Sequence, residues 1–106
     1  MGYDLYTVTE GREHLIGIGA MTMLRGQMIR CGMLVEDDAA MAVAPAGIPD
    51  WALSGHGGRM VTPGQITAAL ATYDALPEDV RPAGARWEEW VVYLRTAQEH
   101  GGFRVC

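Results

Sequence analysis

The sequence predicts a small α+β domain, in which a short sheet made from the two chain ends packs against two or three helices. Three observations predict it. The segment 86–100 carries Trp87, Trp90, Val91, Leu94 and Ala97 at i, i+3, i+4, i+7 and i+10, a single helical stripe. Thr62-Pro63-Gly64-Gln65 has the N-cap, the N1 proline and the N3 glutamine of a capping box. At the chain ends, Tyr3–Val8 is aromatic and β-branched and Phe103–Cys106 alternates apolar and polar residues, as half-buried strands do.

Taken in order, Tyr3–Val8 reads as the first strand, with Tyr3, Leu5 and Thr7 on one face and Asp4, Tyr6 and Val8 on the other. Glu10–Glu13 is a polar turn, and His14–Ile18 a short second strand. Ala20–Cys31 is the first helix, since Met21, Leu24, Met28 and Cys31 share a face and Gly32 suits the C-cap. Gly26 inside it costs about 1 kcal/mol against alanine. Either another backbone passes close to it or the helix is weakened there. From about 36 to 60 the chain loses its period, which marks an irregular loop of functional or mobile character.

The second helix follows Thr62 with Ile66, Ala69, Leu70, Tyr73 and Leu76 on its stripe and ends at Pro77. A turn over 77–82 leads into the tryptophan-bearing helix, so the two helices are expected to lie antiparallel. Glu88 and Glu89 suit the positive end of that last helix, and Gly101-Gly102 stops it. Burying an indole removes roughly 150–250 Å² from water, at roughly 25 cal/mol/Å². Trp87 and Trp90 are therefore read as the nucleus of the core. Phe103–Cys106 forms a last strand, expected to pair with the first.

At 106 residues the chain is one domain with room for a single core. Its net charge is −5, and its eight basic residues are scattered arginines, which argues against nucleic acid as a partner. The absence of lysine and asparagine reads as the codon bias of a GC-rich genome. The ten-residue run Leu15–Leu24 is too short to span a bilayer. No basic-then-apolar leader opens the chain, so Cys31 and Cys106 are expected as free thiols in a cytoplasmic setting.

No constellation of residues announces catalysis, a cofactor or a metal. His14, His56 and His100 lack neighbours at ligand spacing. Ser54 and His56 do not form a nucleophile elbow. The sequence instead favours a small non-catalytic protein-binding or regulatory protein, with an unidentified protein as partner or a second copy of itself. The expected contact surface is Trp51, Leu53, His56 and Arg59 in the irregular loop, helped by Met23. The competing expectation is a nucleotide- or phosphate-binding enzyme or sensor. It would use the glycine turn Gly17–Thr22, which approximates a dinucleotide fingerprint with Glu36 downstream, or the loop Gly55–Arg59.

The opening Met1-Gly2-Tyr3-Asp4-Leu5-Tyr6, the segment Gly47-Ile48-Pro49, the helix start Val61-Thr62-Pro63 and the ending Trp90 to Phe103 resemble small uncharacterised proteins of actinobacteria and their phages. The resemblance implies a cytoplasmic or phage-encoded accessory protein and carries no reaction.

Overall fold

A computed structural model describes residues 2–35, 47–53 and 59–106, apart from the side chains of Asp50, Trp51 and Arg59. The elements in order are β1 (Gly2–Thr7), β2 (Glu13–Gly17), α1 (Ile18–Cys31), β3 (Leu34–Val35), β4 (Ile48–Pro49), a 3-10 turn (Asp50–Leu53), β5 (Arg59–Val61), α2 (Pro63–Asp74), a second 3-10 turn (Glu78–Val80), α3 (Ala85–Glu99) and β6 (Phe103–Val105). The fold is α+β. The main sheet runs β2-β1-β6-β5, with each neighbour antiparallel to the next. The two chain ends meet at its centre, with Leu5 opposite Val105 and Thr7 opposite Phe103.

Among the described residues, one face of the sheet is buried and the other is largely exposed. Leu5, Thr7, Ile16, Val61, Phe103 and Val105 point into the core, whereas Asp4, Val8, Glu13, Leu15, Met60 and Arg104 are exposed. The helices therefore cover a single side. Their buried residues follow the expected stripes, Met21, Leu24, Met28 and Cys31 on α1, Ile66, Ala69 and Leu70 on α2, and Trp87, Trp90, Val91, Leu94 and Ala97 on α3; Tyr93 of α3 is buried besides, and Tyr73 and Leu76 of the second stripe are only half-buried. Trp90 connects the layers. Its indole N–H donates to the Met28 Sδ at 3.2 Å, and its ring meets Phe103 edge-on at 6.1 Å. Trp87 donates to the Tyr73 hydroxyl at 3.2 Å, which ties α3 to α2. The bond between Gln98 and Thr67 joins the opposite ends, so the two helices run antiparallel.

The helix ends follow from local chemistry. At α2 the Thr62 hydroxyl accepts from the Gln65 amide, and the Gln65 side chain accepts from the Thr62 amide, completing the capping box. At α3 the chain leaves through Gly101 and Gly102 at φ 81° and 86°. The Gly102 amide closes back on the Ala97 carbonyl, and its carbonyl accepts from Val8 at 3.0 Å. A Cβ on Gly102 would run into the Val61 carbonyl oxygen, so glycine is needed there for space as well as conformation.

The structure departs from the sequence reading in two places. The stretch expected to be irregular from 36 to 60 contains β4, a 3-10 turn and β5 among its described residues, and Leu34–Val35 pairs in parallel with Ile48–Pro49. Elements of two or three residues are too short to show a period. Leu53, expected on the contact surface, is fully buried with Ala52 and Ile48, where no partner reaches it. Of the two readings of Gly26, the weakened helix stands, since beyond its own helix no described atom lies within 4 Å of where a Cβ would be.

Two stability outcomes follow. Trp90→Ala should cost about 3–5 kcal/mol in denaturant unfolding, because a fully buried indole leaves a cavity between α1, α3 and β6. Gly26→Ala should raise stability by about 0.5–1 kcal/mol, since α1 gains helix propensity without a clash. A loss in the second measurement would mean that something packs on α1 at Gly26.

Candidate functional site: a groove between a sheet edge and the last helix

β2 is an edge strand, and among the described residues nothing pairs with its outer side. The register fixes which backbone groups stay open. Asp4 exchanges both hydrogen bonds with Cys106, so Asp4 and Tyr6 face β6 while Tyr3, Leu5 and Thr7 face β2. Their partners Ile16, His14 and Arg12 spend their backbone groups on β1; Thr7 donates to the Arg12 carbonyl at 3.0 Å. The N–H and C=O groups of Glu13 and Leu15 accordingly point away from the sheet.

Alongside this edge lies a groove of about 890 Å³. One wall is Arg12, Glu13 and His14. The other is Ala85, Glu88, Glu89, Val92, Tyr93 and Thr96, a second stripe of α3 next to the buried one. The floor is aromatic: the His14 ring stacks on Tyr93 with centroids 4.8 Å apart and planes at 18°. Tyr93 is buried, and its hydroxyl donates to the Arg12 carbonyl at 3.2 Å, which pins the start of β2 to the helix. Burial drives the phenol of Tyr93 far above its usual range, so it acts as a hydrogen-bond donor and not as a base. Val92 is 63% exposed, an apolar side chain standing open on the helical wall.

The groove is acidic. Glu88 and Glu89 line its helical wall, against the single arginine Arg12, while the Glu13 carboxylate turns to the opposite face of the sheet beside Tyr6. The Arg12 guanidinium is already engaged by Glu10, at 3.1 Å. Glu10 is the one non-glycine residue among those described with positive φ, at 66°, which costs an L residue roughly 1–2 kcal/mol. Its carboxylate is held by Arg12 and by the His100 Nε2 at 3.0 Å, and both keep it below the usual carboxylate range. The His100 Nδ1 lies 2.8 Å from the Thr96 carbonyl, which can only accept, so that nitrogen carries a proton. The β1–β2 turn is thus stitched to the C-terminus of α3. On the largely exposed sheet face, the Tyr6 phenol is pushed up to about 12 by its hydrogen bond to Glu13 and by partial desolvation.

The residues singled out from sequence fall elsewhere. Met23 is 46% exposed on α1. His56 and the side chains of Trp51 and Arg59 lie outside the described residues, as does the rest of the Gly55–Arg59 loop short of the Arg59 backbone in β5. The Gly17–Thr22 turn does open α1, with Gly17 as its N-cap. It is not a dinucleotide unit: β2 pairs antiparallel to β1, and α1 leads to β3 in a separate two-stranded sheet. Glu36 lies outside the described residues. Cys31 is buried and free, and burial pushes its thiol up, away from nucleophilic use. Cys106 is exposed. Among the described residues no group of three His, Cys, Asp or Glu side chains could hold a metal ion, and no helix is long and apolar enough to cross a membrane.

The groove itself escaped the sequence reading. Its signal was Val92, an apolar residue off the buried stripe, with Ala85, Glu88, Glu89 and Thr96 at helical spacing around it. In comparisons with known proteins, no family model, no curated protein and no solved structure matches this chain.

The His14 stack makes a pH-dependent stability. Desolvation lowers the folded-state pKa of His14 from its ordinary 6.5, against a smaller opposing pull from Glu89. Between the lowered value and 6.5 the unfolded chain therefore binds more protons than the folded one. The contribution is complete above that window and is lost as pH falls through it. The melting temperature should drop between pH 7.5 and pH 5.5, and His14→Phe, which keeps the stack without the titration, should flatten that drop. Equal slopes for the two proteins would contradict it.

Proposed function

We propose that this chain is a small, non-catalytic protein-binding protein, accessory or regulatory in role, which docks its partner in the groove between β2 and α3. The observation that carries the reading is the combination in one site of a strand edge that no described residue pairs, an exposed Val92 and a stacked aromatic floor. Such a site supplies backbone hydrogen bonds and apolar contact area together, the two terms that peptide recognition at a sheet edge uses. The titratable groups around it are engaged in structural roles: Tyr93 donates to a carbonyl, His14 stacks, and Glu10 holds Arg12 and His100. Met23 offers a further exposed apolar contact on α1. The buried free thiol of Cys31 suits a reducing, cytoplasmic compartment, and the resemblance of the chain's opening and ending supports an actinobacterial or phage source. Self-association through the same groove is the homotypic form of this reading.

A photo-reactive side chain placed at Val92 should give a discrete protein adduct in the producing cell, while the same group at Val80, exposed at 58% on the second 3-10 turn, should not. No adduct at either position, or equal adducts at both, would overturn the docking site. A nucleotide that raised the melting temperature of the free protein would favour the small-ligand alternative at the Gly17–Thr22 turn or the Gly55–Arg59 loop, because ligand binding to the native state must stabilise it.

A further inference from the structure

We infer that the partner enters the groove as an extended, basic segment that pairs with β2 as a fifth strand of the sheet. This rests on the docking reading above and adds the partner's backbone conformation and charge.

The conformation follows from the edge. Glu13 and Leu15 present their N–H and C=O groups outward, two residues apart, at the spacing an extended chain requires. A helix would leave those groups without partners, whereas a strand satisfies them. The groove runs along this edge with α3 as its opposite wall, so an added strand has one row of side chains facing the helix.

The charge follows from what that row would meet. Strand side chains alternate, so those on the inner side lie level with inward-facing His14 and reach Glu88, Glu89 and Val92. Glu89 is close enough to His14 to act on its titration. Outer side chains lie level with Glu13 and Leu15. Glu88 and Glu89 appear in no ion pair among the described residues, and the groove's guanidinium is held by Glu10. Lysine or arginine on the inner row would meet two carboxylates, and their aliphatic stems would cover Val92. An acidic segment would face like charges, and that repulsion selects against it.

The test uses the full chain and four blocked eight-residue probes: alternating lysine and threonine, the same with glutamate for lysine, the same with glutamine, and the lysine probe N-methylated at alternate residues. Binding is followed by backbone amide NMR. The lysine probe should shift the Glu13 and Leu15 amides and protect them from exchange. Raising salt should weaken it, and Glu88→Gln with Glu89→Gln should weaken it about threefold to tenfold. Far-ultraviolet dichroism and melting should show the double variant folded. The glutamate and N-methylated probes should not bind. If the glutamine probe binds as well as the lysine probe, the basic partner is overturned while docking at the groove survives. If the N-methylated probe binds equally, strand addition is overturned. If no probe binds, this inference falls, and the Val92 adduct decides the docking reading separately.

Discussion

The contact on which the rest depends is the indole of Trp90. It lies where α1, α3 and β6 converge, with its N–H on Met28 and its ring against Phe103. Phe103 belongs to the strand that pairs with β1, so one side chain holds the last helix to a sheet built from both chain ends. Tyr93, one turn of chemistry further along, carries the same layer outward: it stacks near Trp90, touches Phe103 and pins Arg12. The floor of the groove is the edge of the core. A site built this way inherits the rigidity of the packing beneath it.

Much of this was legible in the sequence because it rests on periodic signals. The stripes of α1, α2 and α3, the capping box at Thr62, the glycine exit at Gly101-Gly102 and the pairing of the first and last strands all follow from spacing and local backbone preference. What was not legible is equally physical. β3, β4 and β5 are two or three residues long and have no period to read. Leu53 looked like a loop residue available to a partner, but apolar residues in short connections bury as readily as those in helices, and it lies in the core. His14 reads only as the start of a short strand until the fold brings Tyr93 beneath it.

The groove is a consequence of topology more than of any motif. Order β2-β1-β6-β5 leaves β2 at the margin, and α3 lies across the inner face beside it. Edge strands invite unwanted pairing, and proteins commonly blunt them with charge. Here Glu13 lies on the edge and Glu88 and Glu89 line the opposite wall, so the same carboxylates that discourage association with another acidic chain would admit a basic one. Glu10, held at positive φ between Arg12 and His100, fixes the turn that sets where this edge begins.

Amide hydrogen exchange along β2 measures the central claim most directly. If α3 locks the sheet from beneath and leaves its margin free, the amides of His14 and Ile16 exchange slowly, those of Glu13 and Leu15 exchange fast, and the Arg104 amide, which faces Tyr6 of β1, is among the slowest in the chain. Uniform protection along β2 would show the edge to be covered, and fast exchange at Arg104 would show that the two chain ends do not form the centre of the sheet.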